Sequence, residues 1–188
     1  MARKSSAAAL VCLASALGMC GCGLQTQTAG GTRDEPTHFQ KALDWEVRED
    51  FDLAHEEYRR AIRENPNDSR AYVNLGCLYA RKGDRERAER YYRKAVEVNP
   101  KDIRALNLLG GIYMRQNRYA LAIAYYKKVV ELNPTYPDGH WNLAVAFRSL
   151  GFPREAAQHY RQYIALASPE EESDIAEAKR YVTATADQ

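Results

Sequence analysis

The chain repeats itself with a period of 34 residues: Asn65-Pro66, Asn99-Pro100 and Asn133-Pro134 fall one period apart, and the residues between them correspond position by position. A repeat of that length holds two helices and a turn, which cannot bury an apolar face alone and must stack on copies of itself. Rows of 34 starting at Glu35, Ser69, Ile103 and Pro137, with a partial row from Glu171, bring out the columns. The eighth reads Ala42, Gly76, Gly110, Ala144 and Ala178, and the twentieth Ala54, Ala88, Ala122 and Ala156. The eleventh reads Trp45, Tyr79, Tyr113, Phe147 and Tyr181, and the twenty-fourth Tyr58, Tyr92, Tyr126 and Tyr160. Small columns alternating with aromatic ones are what interdigitated helix packing requires.

The segment Tyr72-Val73-Asn74-Leu75-Gly76, followed by Tyr79, Gly83, Ala88, Tyr92, Ala95 and Pro100, resembles a nearly complete tetratricopeptide repeat (TPR). The next row keeps Leu109, Gly110, Tyr113, Tyr119, Ala122, Tyr126 and Pro134 but has Leu106 at the usual aromatic site and Val129 at the usual alanine. The outer rows depart further, with Lys41 at a usual leucine and Tyr163 at a usual alanine, as expected where one side of a repeat meets water or a cap. The resemblance implies an all-α solenoid of about four helix–turn–helix repeats, at 35–68, 69–102, 103–136 and 137–170, with a capping helix and tail at 171–188. First helices are expected over 36–48, 70–82, 104–116 and 138–150, and second helices over 52–64, 86–98, 120–132 and 154–167. Gly83 and Gly151 suit the left-handed residue that ends a first helix, and Asn117 suits it less well.

Residues 1–21 read as a secretory signal: Arg3 and Lys4, an uncharged run from Ala7 to Leu17, then small residues. Met19-Cys20-Gly21-Cys22 resembles the lipobox of bacterial lipoproteins, which implies acylation at Cys22. Gly21 supplies the small residue before the cut, whereas Cys20 follows the bulky Met19. An unlipidated signal cut after Ala16 or Gly21 is the alternative. Residues 22–34 are small and polar and read as a flexible tether, on the order of 20 Å long. Gly23 is not the aspartate that retains enteric-type lipoproteins in the inner membrane, so the expected location is the envelope, on the periplasmic side and favouring the outer membrane.

Without residues 1–21, 25 basic residues face 25 acidic ones. A neutral mature chain lacks the excess positive charge of a general nucleic-acid binder. Of the four cysteines, Cys12 and Cys20 leave with the signal and Cys22 takes the lipid, so Cys77 has no partner for an intramolecular disulfide and is expected to be a buried thiol. His55-Glu56-Glu57-Tyr58-Arg59 opens like a zinc-protease helix, but Arg59 stands where the second histidine must be. His38, His140 and His159 lie in separate rows or lack ligand spacing, and no phosphate loop or nucleophile elbow is present. The reading is therefore non-catalytic, with no metal, cofactor, nucleic acid or small-molecule substrate.

In the resembling family, contacts to a bound protein or peptide come from the first helices, along a concave face. The apolar residues there are Phe39, Leu43, Val73, Cys77, Ala80, Met114, Trp141 and Val145, and the polar ones include Gln40, Asn74, Asn107 and Asn142. Arg70 and Arg104 share one column, Arg81 and Arg115 another, and Arg148 lies beside the second. An apolar trough between two lines of guanidinium groups suits a peptide with acidic side chains. Pairing of these arginines with Glu46, Asp84, Asp102 or Asp138 is the competing reading. The carboxylate-clamp variant of the family is a poor match, since Phe39 and Leu43 occupy its lysine and asparagine sites. Leu108 also interrupts an amide ladder through Gln40, Asn74 and Asn142. The whole resembles small envelope TPR lipoproteins that assist assembly of type IV pili or secretion channels; an adaptor recruiting cell-wall hydrolases is the alternative.

Overall fold

A computed structural model describes residues 35–186, and the predicted signal, Cys22 and the tether lie outside the described residues. Among the described residues the chain is all α. The first helices are α1 (His38–Val47), α3 (Ser69–Arg81), α5 (Ile103–Arg115) and α7 (Pro137–Leu150), and the second helices are α2 (Phe51–Glu64), α4 (Arg85–Val98), α6 (Tyr119–Leu132) and α8 (Pro153–Leu166). A 3-10 turn at Pro169–Glu171 leads into α9 (Glu172–Ala186). Each helix packs on the one before and the one after it, and α3 also touches α5. None of these helices is long and apolar enough to cross a membrane.

Local chemistry sets the helix ends. Thr37 and Gln40 form a capping box on α1, and the carboxylates of Asp50, Asp68, Asp84 and Asp102 cap α2 to α5 by accepting from backbone N–H groups. Asp102 also accepts from the Ser69 hydroxyl at 2.6 Å, tying one repeat to the next. The turn between the paired helices passes through positive φ in each of the four repeats, at Glu49 (60°), Gly83 (81°), Asn117 (58°) and Gly151 (84°). Glycine and asparagine adopt this conformation readily, whereas Glu49 pays a steric penalty that its identity does not advertise.

The columns read from the sequence meet as predicted. Ala54, Ala88, Ala122 and Ala156 are fully buried, and Tyr58, Tyr92, Tyr126 and Tyr160 are buried beside them. A Cβ added to Gly76 would lie 2.6 Å from Tyr92 Cε1, and one added to Gly110 would lie 2.5 Å from Tyr126 Cε1, so both glycines make room for the ring of their own repeat. In the outer repeats Ala42 and Ala144 hold this place, and Tyr58 and Tyr160 turn edge-on to Phe39 and Trp141 instead.

The eleventh column is less buried than the core columns: Tyr113 is enclosed, while Trp45, Tyr79, Phe147 and Tyr181 are half-buried. Three of its rings stack on the second helix of their own repeat, Tyr79 on Tyr91, Tyr113 on Tyr125, and Phe147 on His159. His159 also lies 3.2 Å from His140, Nδ1 to Nδ1. Burial, with His140 and Lys127 nearby, pushes His159 down to about 4, so it is neutral at pH 7.

Candidate partner-binding face

The first helices meet one another on the inner side of the stack through side chains that cross from repeat to repeat. Arg81 lies 3.5 Å from Glu46, and Glu46 accepts from the Tyr58 hydroxyl. The Tyr58 oxygen accepts from Asn74 Nδ2 at 3.0 Å, and Asn74 Oδ1 accepts from Arg104 at 2.9 Å. Farther along, Asn142 donates to Asn107 at 2.8 Å. Burial, followed by the bond to the Glu46 carboxylate, raises the Tyr58 phenol well above its ordinary range, so it stays a donor. These bonds satisfy polar groups that close helix packing removes from water.

Several residues expected to meet a partner are therefore committed within the fold. Val73 is 1% exposed and packs between α3 and α5 with Ala105, so it supports the face from beneath and cannot touch a ligand there. Asn74 is buried as well, with both ends of its amide bonded. The amide ladder expected through Gln40, Asn74 and Asn142 is resolved differently as well: Gln40 closes the cap of α1, and Asn142 turns to Asn107. Trp141 does not stand out into a trough. Its ring packs against Tyr160 and Tyr163, with centroids 5.3 and 4.9 Å away, in a cluster that includes Val145 and, from α9, Ile175, Tyr181 and Val182. Arg148 bonds Glu177 of α9 at 3.0 Å and lies against the rings of Tyr160 and Tyr181. For Trp141, Val145 and Arg148 the reason is common: α9 occupies the place of a fifth first helix, and the end of the fourth repeat faces it.

What remains open is the stretch from α1 to α5. Leu43 is 39% exposed, Phe39 is half-buried, and Met114 and Asn107 lie half-buried on α5. The Arg70 guanidinium covers the Phe39 ring at 4.9 Å and grips Asp68 through Nε and Nη2, which holds the Asp68 carboxyl below its usual range. It stays 68% exposed, with further N–H groups facing out. Arg104 and Arg115 are exposed, and Arg81, paired with Glu46, lies over Phe51. Of the arginines expected to line the face, Arg70, Arg81, Arg104 and Arg148 are each held by a group of the chain itself. Cys77 is half-buried, less enclosed than expected, and its sulfur accepts from the Tyr92 hydroxyl at 3.6 Å.

Charge is distributed along the stack in a way that the overall neutrality conceals. Residues 35–68 hold 5 basic and 10 acidic side chains, residues 69–168 hold 17 and 8, and residues 169–188 hold 2 and 6. A count by repeat, rather than over the whole chain, reveals this in the sequence.

A family model for the tetratricopeptide repeat matches residues 40–84 and 73–137. Among solved structures, a crystal structure of MamA superposes with a TM-score of 0.62 at 21% identity, covering 78% of this chain and 92% of that one. A second MamA crystal structure gives 0.65 at 20% identity over 80% and 85% of the two chains. The AMB-1 form of MamA gives 0.65 at 21% identity over 80% of each. At such identity the likeness is one of fold. No curated protein matches the chain.

Proposed function

The chain belongs to the tetratricopeptide repeat family, and from that premise we propose that it is a non-catalytic scaffold whose inner face, over α1, α3 and α5, holds an acidic peptide or protein segment. The observation that carries this reading is the charge of two neighbouring helices. Ser69–Arg81 and Ile103–Arg115 contain Arg70, Arg81, Arg104 and Arg115 and no carboxylate, while Leu43 and Met114 supply apolar contacts beside them. Arginines held by Asp68, Glu46 and Asn74 lose little side-chain freedom on binding, and a guanidinium with two bonds made still has donors for a second carboxylate.

Arg70→Ala with Arg115→Ala is expected to weaken binding of a labelled, glutamate-rich peptide about tenfold or more and to flatten its dependence on salt. Fluorescence anisotropy across a salt series checks this. Binding unchanged in both affinity and salt slope removes the inner face from consideration.

In this reading the scaffold is tethered to a membrane through Cys22, and its partner belongs to an envelope assembly such as a pilus or secretion apparatus. The sequence of residues 1–22 supports the anchor, because two or three acyl chains, at about 0.8 kcal/mol per buried methylene, hold a protein durably on a bilayer. Cys22→Ala is expected to abolish metabolic palmitate labelling, and Cys20→Ala to leave it intact. Label retained in the Cys22 variant rules out the anchor.

A further inference from the structure

The second helices differ in a way that the inner face does not explain. The α4 helix carries eight charged residues, as surface helices do, but α6 carries only Lys127, Lys128 and Glu131. Its exposed residues are Ala120, Leu121, Ala124, the two lysines and, in the last turn, Glu131 and Leu132. Residues 118–130 hold three cations, Arg118, Lys127 and Lys128, and no acid.

The neighbouring turn continues this surface. Leu150, which ends α7, and Phe152, in the turn to α8, are 41% and 45% exposed, and Leu121 is 38% exposed. The Phe152 ring meets Phe147 edge-on, and the Lys127 ammonium lies 5.7 Å from the centre of that same Phe147 ring, so the turn and the outer side of α6 form one surface. Lys128 is likewise held over Tyr125.

A third observation concerns what these positions have given up. In the first two repeats the residue that opens the second helix is Asp50 or Asp84, and its carboxylate caps the helix. In the third and fourth repeats the same position holds Arg118 and Phe152, and neither makes a cap bond. An aspartate there stabilises a helix, and these two repeats forgo it: Arg118 lies over the Tyr113 ring at 4.9 Å and Phe152 against Phe147, and both side chains stay exposed.

We propose that the outer side of α6 and the α7–α8 turn, through Arg118, Leu121, Lys127, Lys128, Leu150 and Phe152, form a surface that seats on an anionic lipid bilayer. Exposed apolar side chains standing on turn tips and on a helix side, with cations around them, match a flat surface with an apolar interior and anionic headgroups. The Lys127 and Lys128 ammonium groups lie over the rings of Phe147 and Tyr125 and both side chains are exposed, so each contributes attraction to an anionic leaflet. This surface is separate from the inner face and takes a different ligand, so the two readings stand or fall independently.

The test uses the chain from residue 22 onward with Cys22→Ala, so that neither the apolar run Ala7–Leu17 nor an acyl chain contributes, and follows its sedimentation with phosphatidylglycerol–phosphatidylcholine vesicles and with phosphatidylcholine vesicles. Binding is expected with the first and not with the second. Lys127→Gln with Lys128→Gln should weaken it about 25-fold, roughly fivefold for each cation removed from near the surface. Leu121→Ser with Phe152→Ser should weaken it to a comparable degree. Arg118→Asp restores the missing cap, so it should lower vesicle binding while the melting temperature holds or rises, separating a lost surface from a damaged fold. The inner-face pair Arg70→Ala and Arg115→Ala should bind vesicles as the parent does. Failure of the parent chain to sediment with anionic vesicles overturns the proposal. So does binding that survives the α6 and turn substitutions, or binding lost only in the inner-face pair.

Discussion

Gly110→Leu is expected to lower the melting temperature by roughly 6–12 °C, the equivalent of about 3 kcal/mol in a chain of this size. The cause is the 2.5 Å separation between an added Cβ and Tyr126 Cε1, with Cδ1 and Cζ of the same ring at 2.8 Å. The ring cannot swing aside, because Tyr126 is 3% exposed in the central cluster with Leu109, Ile112 and Leu143. Relief would have to come from separating α5 and α6, which also carry the contacts to α4 and α7. In a stack of repeats such a defect spreads to its neighbours, so the unfolding transition should broaden as well as shift. The adjacent residue is an internal control. A Cβ on Gly111 would come no closer than 3.7 Å to the Tyr126 hydroxyl, so Gly111→Ala should be neutral or stabilise by up to about 1 kcal/mol through helix propensity. Equal behaviour of the two variants in a thermal melt would mean that the helix pair is not packed in this register.

The second large effect is expected at Trp141, and it concerns stability before binding. Trp141→Ala should cost about 3 kcal/mol, because it removes the ring that fills the space between Tyr160 and Tyr163 under α9. The cavity should loosen α9 first, so amide exchange in Glu172–Ala186 should quicken before the rest of the stack responds. Glu177→Ala, which removes only the half-exposed ion pair to Arg148, should cost about 0.5 kcal/mol or less. A Trp141→Ala variant that melts like the parent but loses its acidic ligand would return Trp141 to the inner face as a contact residue.

The repeat made most of the fold legible. A 34-residue period with alternating small and aromatic columns leaves few ways to bury those columns, and the helices begin and end within one to two residues of the expected positions. Gly83, Asn117 and Gly151 announced their turns, while Glu49 took the same conformation without any signal, since the geometry of the repeat overrides the residue's own preference. The candidate face was legible in outline only. Column numbers placed Arg70, Arg81, Arg104 and Arg115 on the correct helices, but they could not tell that Asn74 would bridge Tyr58 and Arg104, or that Val73 would be covered by the next repeat.

The sequence by itself determined the period, the helix pairs and the columns that meet, because each depends on residues within one repeat or its nearest neighbour. Tertiary structure alone decided which inner-face residues remain open. That question turns on contacts between side chains some thirty residues apart, as with Asn107 and Asn142, or Arg148 and Glu177. A column gives a side chain its direction, but what stands in front of it depends on how closely the next helix approaches. At the fourth repeat the next helix is α9, and it covers Trp141 and Arg148 because Ala178, fully buried, lets it lie close.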